Sequence, residues 1–158
     1  MKLYVKEKIF SLKKNFSVKD ENGKDKYFLQ PCGSLFDYNL SVTDAQGVEI
    51  TTYHVNYHSN APTLSVFVGG EEVAQVRTEF VNNCNARYVV DGLEWEIAHR
   101  SMISLKYDFN RCGQTIGCIT LDWPSVGDGY CLELDDPAHE IMALAVVMLI
   151  DYRREQNS

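Results

Sequence analysis

The chain ends in His139–Ser158, HEIMALAVVMLIDYRREQNS, and the reading of its centre decides the fold. From Ile141 to Ile150 every residue is apolar, so a helix wound through this stretch has no polar face and no 3.6-residue stripe. Such a helix is either buried on all sides or lies in lipid. Asp136 is placed to cap its start, Pro137 suits the first helical position, and Arg153 and Arg154 complement the negative end of the dipole. The expected helix therefore runs from about residue 137 to 154. Its apolar part covers only about 15 Å at a rise of 1.5 Å per residue, against a bilayer core about 30 Å thick that needs about 20 residues. His139, Glu140 and Asp151 bracket it closely, so no transmembrane segment is expected. The remaining solution is a helix threaded through the rest of the chain, with Ala143 and Ala145 small enough to let it fit.

What surrounds it is written in a recurrence. FSVKDENG from Phe16, LSVTDAQG from Leu40, LSVFVGGE from Leu64 and YVVDGLEW from Tyr88 begin 24 residues apart. The first two share Ser, Val, Asp and Gly at matching offsets: Ser17, Val18, Asp20 and Gly23, then Ser41, Val42, Asp44 and Gly47. This is a hairpin signature, because glycine supplies a positive φ and aspartate bonds the turn backbone. Alternation of period two follows the turns: Leu93, Trp95 and Ile97 share one face opposite Glu94 and Glu96, and Tyr130, Leu132 and Leu134 share another. A further copy turns at Asn110–Gly113. The expectation is an all-β antiparallel closed barrel, a meander of about 10–12 strands over residues 3–135, wrapped around the C-terminal helix in one domain of residues 1–158. Too few copies occur for a propeller.

Composition narrows the function. Apolar residues at 45% exclude extended disorder, and a net charge of −7 disfavours nucleic acid as a partner. The charge is uneven. Residues 1–14 carry Lys2, Lys6, Lys8, Lys13 and Lys14 against Glu7, a local +4 that leaves −11 for the remainder. Such asymmetry marks either a solvated edge strand or an arm that meets an anionic surface. The opening MKLYVKEKIF places lysines where an export signal needs an apolar run, so a cytoplasmic protein is expected, at most peripheral to a membrane. Cys32, Cys84, Cys112, Cys118 and Cys131 contain no Cys-x-x-Cys and read as buried or semi-buried free thiols.

No catalytic, cofactor or metal constellation is visible. His54 and His58 would be about 13 Å apart on a strand, too far for one metal. His99 and His139 lie beside Arg100 and Glu140 with no nucleophile linked to them in sequence. Glu94 and Glu96 alternate with an apolar face and point to water, Gly127–Gly129 lacks the lysine and helix of a phosphate cradle, and Trp95 and Trp123 read as packing residues.

MKLYVKEKIFSLKKNFSVKDENG, DGLEWEI and WPSVGDGYCLELDDPAHEIMALAVVMLIDY together resemble the LURP-one-related family over nearly the whole chain. The resemblance implies the Tubby C-terminal fold, a twelve-stranded barrel around a central helix. Relatives of that fold include phospholipid scramblases and the phosphoinositide-binding Tubby domain. The expected function is a non-catalytic binding module for a protein partner or an anionic phospholipid surface, the latter through Lys6, Lys8, Lys13, Lys14, Arg153 and Arg154. The alternative is a small apolar-ligand carrier or an enzyme using a partly open barrel.

Overall fold

The computed structural model describes residues 1–6, 9, 14–34, 37–82, 85–101, 105–121 and 129–157. Its strands are β1 (Lys2–Lys6), β2 (Phe16–Asp20), β3 (Asp25–Cys32), β4 (Asn39–Asp44), β5 (Glu49–Asn56), β6 (Thr63–Val68), β7 (Glu71–Phe80), β8 (Ala86–Val90), β9 (Trp95–His99), β10 (Lys106–Arg111), β11 (Gln114–Leu121) and β12 (Gly129–Leu134). Each pairs antiparallel with its neighbours in sequence, and β1 closes the barrel against β12, with Lys2 opposite Glu133 and Lys6 opposite Gly129. Gly129 is required at that seam: a Cβ there would sit 2.5 Å from the Val5 carbonyl oxygen.

The 24-residue recurrence is the barrel's hairpin repeat. Its four copies open β2, β4, β6 and β8, and the paired positions Phe16 and Val18, Leu40 and Val42, Leu64 and Val66, Tyr88 and Val90 are all buried. The first two turns are chemical copies. Asp20 Oδ1 accepts from the amides of Asn22 and Lys24 at 2.9 and 3.0 Å, and Asp44 Oδ1 accepts from Gln46 and Val48 at the same two distances. Gly23 and Gly47 take φ of 77° and 81°. Trp95 and Ile97 point inward as the alternation requires, but Leu93 and Glu94 belong to the preceding turn, with Glu94 at φ 57°. The β10–β11 reversal is tighter than Asn110–Gly113: β10 runs on to Arg111 and only Cys112 and Gly113 turn, both at positive φ.

The apolar segment is the core. Helix α1 (Glu140–Gln156) runs through the barrel, and all of Ala143 to Ile150 are fully buried. Each large side chain among them contributes about 1.5–3 kcal/mol by leaving water. The helix begins three residues later than Pro137. Asp136 caps a separate 3-10 turn, Pro137–His139, its carboxylate accepting from the Ala138 amide at 2.9 Å. Among the described residues, no helix is long and apolar enough to cross a membrane.

A buried carboxylate holds the helix at each end. Glu140 accepts from the Tyr27 hydroxyl and from Lys26 Nζ, the latter at 2.8 Å. Asp151 accepts from the Tyr130 hydroxyl at 2.8 Å and from the Ile9 amide at 3.0 Å. Burial, reinforced by the adjacent carboxylate, pushes the Tyr130 hydroxyl well above the usual phenol range, which keeps it a donor.

Candidate functional site

Up-and-down topology sends every second connection to the same end of the barrel. At the turn end lie residues 21–24, 45–48, 69–70, 91–94 and 112–113 with the start of α1; at the loop end lie, among the described residues, 14–15, 33–34, 37–38, 57–62, 81–82, 85, 100–101 and 105 with its C-terminus. Charge follows this division. Asp20, Glu21, Asp44, Glu71, Glu72, Asp91, Glu94, Asp135 and Asp136 stand at the turn end, where the helix dipole is positive. Lys6, Lys14, Arg100, Lys106, Arg153 and Arg154 stand at the loop end. Several carboxylates there are already engaged: Asp108 with Arg100 at 2.7 Å, Glu79 with Arg87 at 3.3 Å, Asp37 with the Ser34 amide at 3.0 Å, and Asp151 in the core.

The structure brings Lys6 and Lys14 onto one groove of about 300 Å³, floored by Tyr4 and Phe16 and continued by Lys19. Lys6 ends β1, and Lys14 lies two residues before β2 pairs with it. Lys19 is neutralised by Asp25 at 2.6 Å and Lys2 by Glu133 at 3.2 Å, and Glu133 raises the affinity of Lys2 for its proton. Lys6 and Lys14 are exposed and make no ion pair with a described residue. Lys8 and Lys13 lie outside the described residues.

The two arginines go elsewhere on the same end. Arg154 lies over the Tyr130 ring at 5.6 Å, with its Nη1 3.5 Å from the hydroxyl. Arg153 lies over Phe80 at 5.2 Å, donates to the Tyr88 hydroxyl at 3.0 Å, and lines a separate cleft of about 640 Å³ beside the helix terminus. Sequence reading missed this cleft. Its walls come from residues 57–62, Phe80 and the last turn of α1, and only the strand order places those segments together.

The remaining candidates lie apart from these two surfaces or outside the described residues, except for His58, which neighbours Tyr57. His54 contacts Asn39 on the outer wall, and His58 lies beyond the end of β5, its ring against Tyr57. His99 stacks on Tyr107 with ring centres 4.0 Å apart; His139 meets the edge of Trp95 and lies 3.8 Å from Asp136. Trp95 is buried against Phe109, while Trp123, Gly127 and Cys84 lie outside the described residues. Cys32, Cys118 and Cys131 are half-buried or buried, and burial pushes the Cys131 thiol up to about 11. Cys112 departs from expectation: it is exposed, because a two-residue turn has no interior, and its thiol donates to Glu94 at 3.0 Å, which raises its pKa. Among the described residues, no group of three or more His, Cys, Asp or Glu side chains could hold a metal ion.

A family model described as LURP-one-related matches residues 1–151. The chain is 24% identical over 153 residues to the uncharacterized protein YxjI of Bacillus subtilis (strain 168), covering 96% of this chain and 92% of that relative. No solved structure matches, so the Tubby likeness rests on the sequence resemblance alone.

Proposed function

We propose that this chain, which belongs to the LURP-one-related family, is a non-catalytic binding module that docks its loop end on an anionic phospholipid surface. The observation that carries the reading is the pair of exposed lysines, Lys6 and Lys14, on one groove at the end of the barrel away from its acidic turns. Exposed apolar side chains occur at both ends, with Phe80 and Leu105 at the loop end and Val48 and Val68 at the turn end, so charge decides the orientation. The acidic end faces away from the membrane and Lys6 and Lys14 face it.

Co-sedimentation with phosphatidylserine-containing and neutral vesicles tests the reading. Each lysine near an anionic surface contributes about 1 kcal/mol, so Lys6→Gln with Lys14→Gln weakens binding by roughly thirtyfold at low salt. Binding should also fall as the Debye length shrinks toward about 8 Å at physiological ionic strength. An absence of binding at either salt removes the membrane and leaves a protein partner as the ligand of this end.

A second reading, a carrier of a small ligand, draws support from the Arg153 cleft. That cleft lies beside α1 and contains polar groups, although the helix itself fills the barrel.

A further inference from the structure

The Arg153 cleft has a chemistry distinct from that of the lysine groove. Three rings line it: Tyr57, Phe80 and Tyr152. Tyr57 and Tyr152 both pack edge-on against Tyr38, with ring centres 5.1 Å apart in each pair, so these walls are fixed relative to one another. Phe80 stands 48% exposed at the edge of the cleft and carries the Arg153 guanidinium on its face. Asn60, Gln156 and Asn157 also line the cleft. No carboxylate is among the described residues that line the cleft, in a chain whose net charge is −7.

Arg153, on α1, differs from Arg77, Arg87 and Arg100 of the barrel wall. Arg77 pairs with Asp91 at 2.7 Å, Arg87 with Glu96 at 2.9 Å and Arg100 with Asp108 at 2.7 Å. Among the described residues, Arg153 has the Tyr88 hydroxyl as its hydrogen-bond acceptor and the Phe80 ring beneath it, with no carboxylate partner. One Nη is therefore anchored and the plane is set by the ring, while the guanidinium's remaining N–H groups have no acceptor among the described residues. A planar fork held in this way matches a planar carboxylate, which accepts two parallel N–H bonds. A single cation, with no second one among the described lining residues, balances one negative charge and not the two of a phosphomonoester. The volume of about 640 Å³ suits a ligand of one or two fused rings, since small-molecule pockets run from about 300 to 1,000 Å³.

We infer that the cleft between Phe80, Tyr57 and the end of α1 is a binding site for a small aromatic monocarboxylate, its ring between the aromatic walls and its carboxylate on Arg153.

The test is a lipid-free titration of the full chain with 2-naphthoate, followed by saturation-transfer and amide-shift NMR, so its outcome is independent of the vesicle result. Expected are saturable binding, shifts at Tyr57, Phe80 and Arg153, and affinity at least about tenfold lower for the uncharged 2-naphthalenemethanol, as loss of a charge-assisted pair requires. Arg153→Gln should lose at least as much. Because Arg153 also braces Tyr88, Asn60→Trp serves as a second variant: it fills the cleft from an exposed loop position and should also abolish binding while the melting curve holds. Equal affinity for the alcohol, displacement by equimolar inorganic phosphate, unchanged affinity in a folded Asn60→Trp protein, or no saturation transfer up to about 5 mM naphthoate would each overturn the assignment.

Discussion

At one end of the barrel the chain reverses in two to four residues; at the other it takes five to nine. The short reversals are specified locally, by Asp20 and Asp44 bonding their own turn amides and by paired positive φ at Gly69 and Gly70 or Cys112 and Gly113. They leave little room for anything but the turn itself, and their surplus carboxylates sit where the helix dipole is positive. The long connections also carry local bonds, from Asp37, Ser59 and Asn82 to amides of their own loops, but have more residues than such a turn uses. Around them Lys6, Lys14, Phe80 and Arg153 come to one end from opposite parts of the sequence, and both candidate binding surfaces lie there. In this barrel the locally specified turns and the proposed binding surfaces occupy different ends, joined by one helix that both must grip.

The largest predicted effect breaks both ends at once. Val146 is fully buried mid-helix, so Val146→Asp places an unpaired charge in the core at a cost of several kcal/mol. Insoluble or molten protein is the expected outcome; a soluble variant with an unchanged melting curve would show that the helix is not the shared core. A finer test compares the two carboxylates. Asp151→Ala leaves the Tyr130 hydroxyl and the Ile9 amide without that acceptor inside the barrel, a loss of about 3 kcal/mol. Glu140→Ala should cost about half as much, roughly 1.5 kcal/mol, because Lys26 is partly exposed and water replaces the lost acceptor. Denaturant melts give the totals, and hydrogen exchange should open the loop end in the first variant and the turn end in the second. Equal losses would mean that the two ends are gripped alike.

The smallest effect lies on the barrel wall near the turn end. Arg77 beside Asp91 holds that carboxyl below its ordinary value of 3.8. A lowered folded value means that the pair's contribution is present above the ordinary carboxylate range and is lost as pH falls through the folded value, below 3.8. Both side chains are exposed to solvent, so Arg77→Gln should return the Asp91 midpoint to about its ordinary value in an NMR titration and leave the melting temperature at pH 7 nearly unchanged. A large drop in melting temperature would show that this charge cluster is structural.

Much of the architecture was legible because its signals are local. The 24-residue recurrence, the Asp-x-x-Gly turns and the all-apolar Ile141–Ile150 each state a rule of backbone geometry or burial within a few residues. Departures came where neighbours in space overrule those in sequence. Pro137 begins a 3-10 turn and α1 starts later, at Glu140, which Tyr27 and Lys26 engage from β3. Cys112 lies in the open because the turn is shorter than the Asn110–Gly113 reading required. Lys6 and Lys14 could be paired from sequence, since adjacent strands must meet. Arg153 could be marked only as a helix-end cation.

By itself, then, the sequence determined that strands of period two would alternate with tight turns and that a helix apolar on every face needed a closed wall around it, because burial of apolar surface and turn stereochemistry are written into consecutive residues. That Tyr57, Phe80 and Arg153 form one cleft apart from the lysine groove was decided only in three dimensions, where the last turn of α1 meets the β5–β6 connection and the end of β7. The reason is physical: the cleft joins a loop and a strand end to a helix terminus far along the chain, and no rule of turn geometry or alternation relates a loop to the helix that packs beside it.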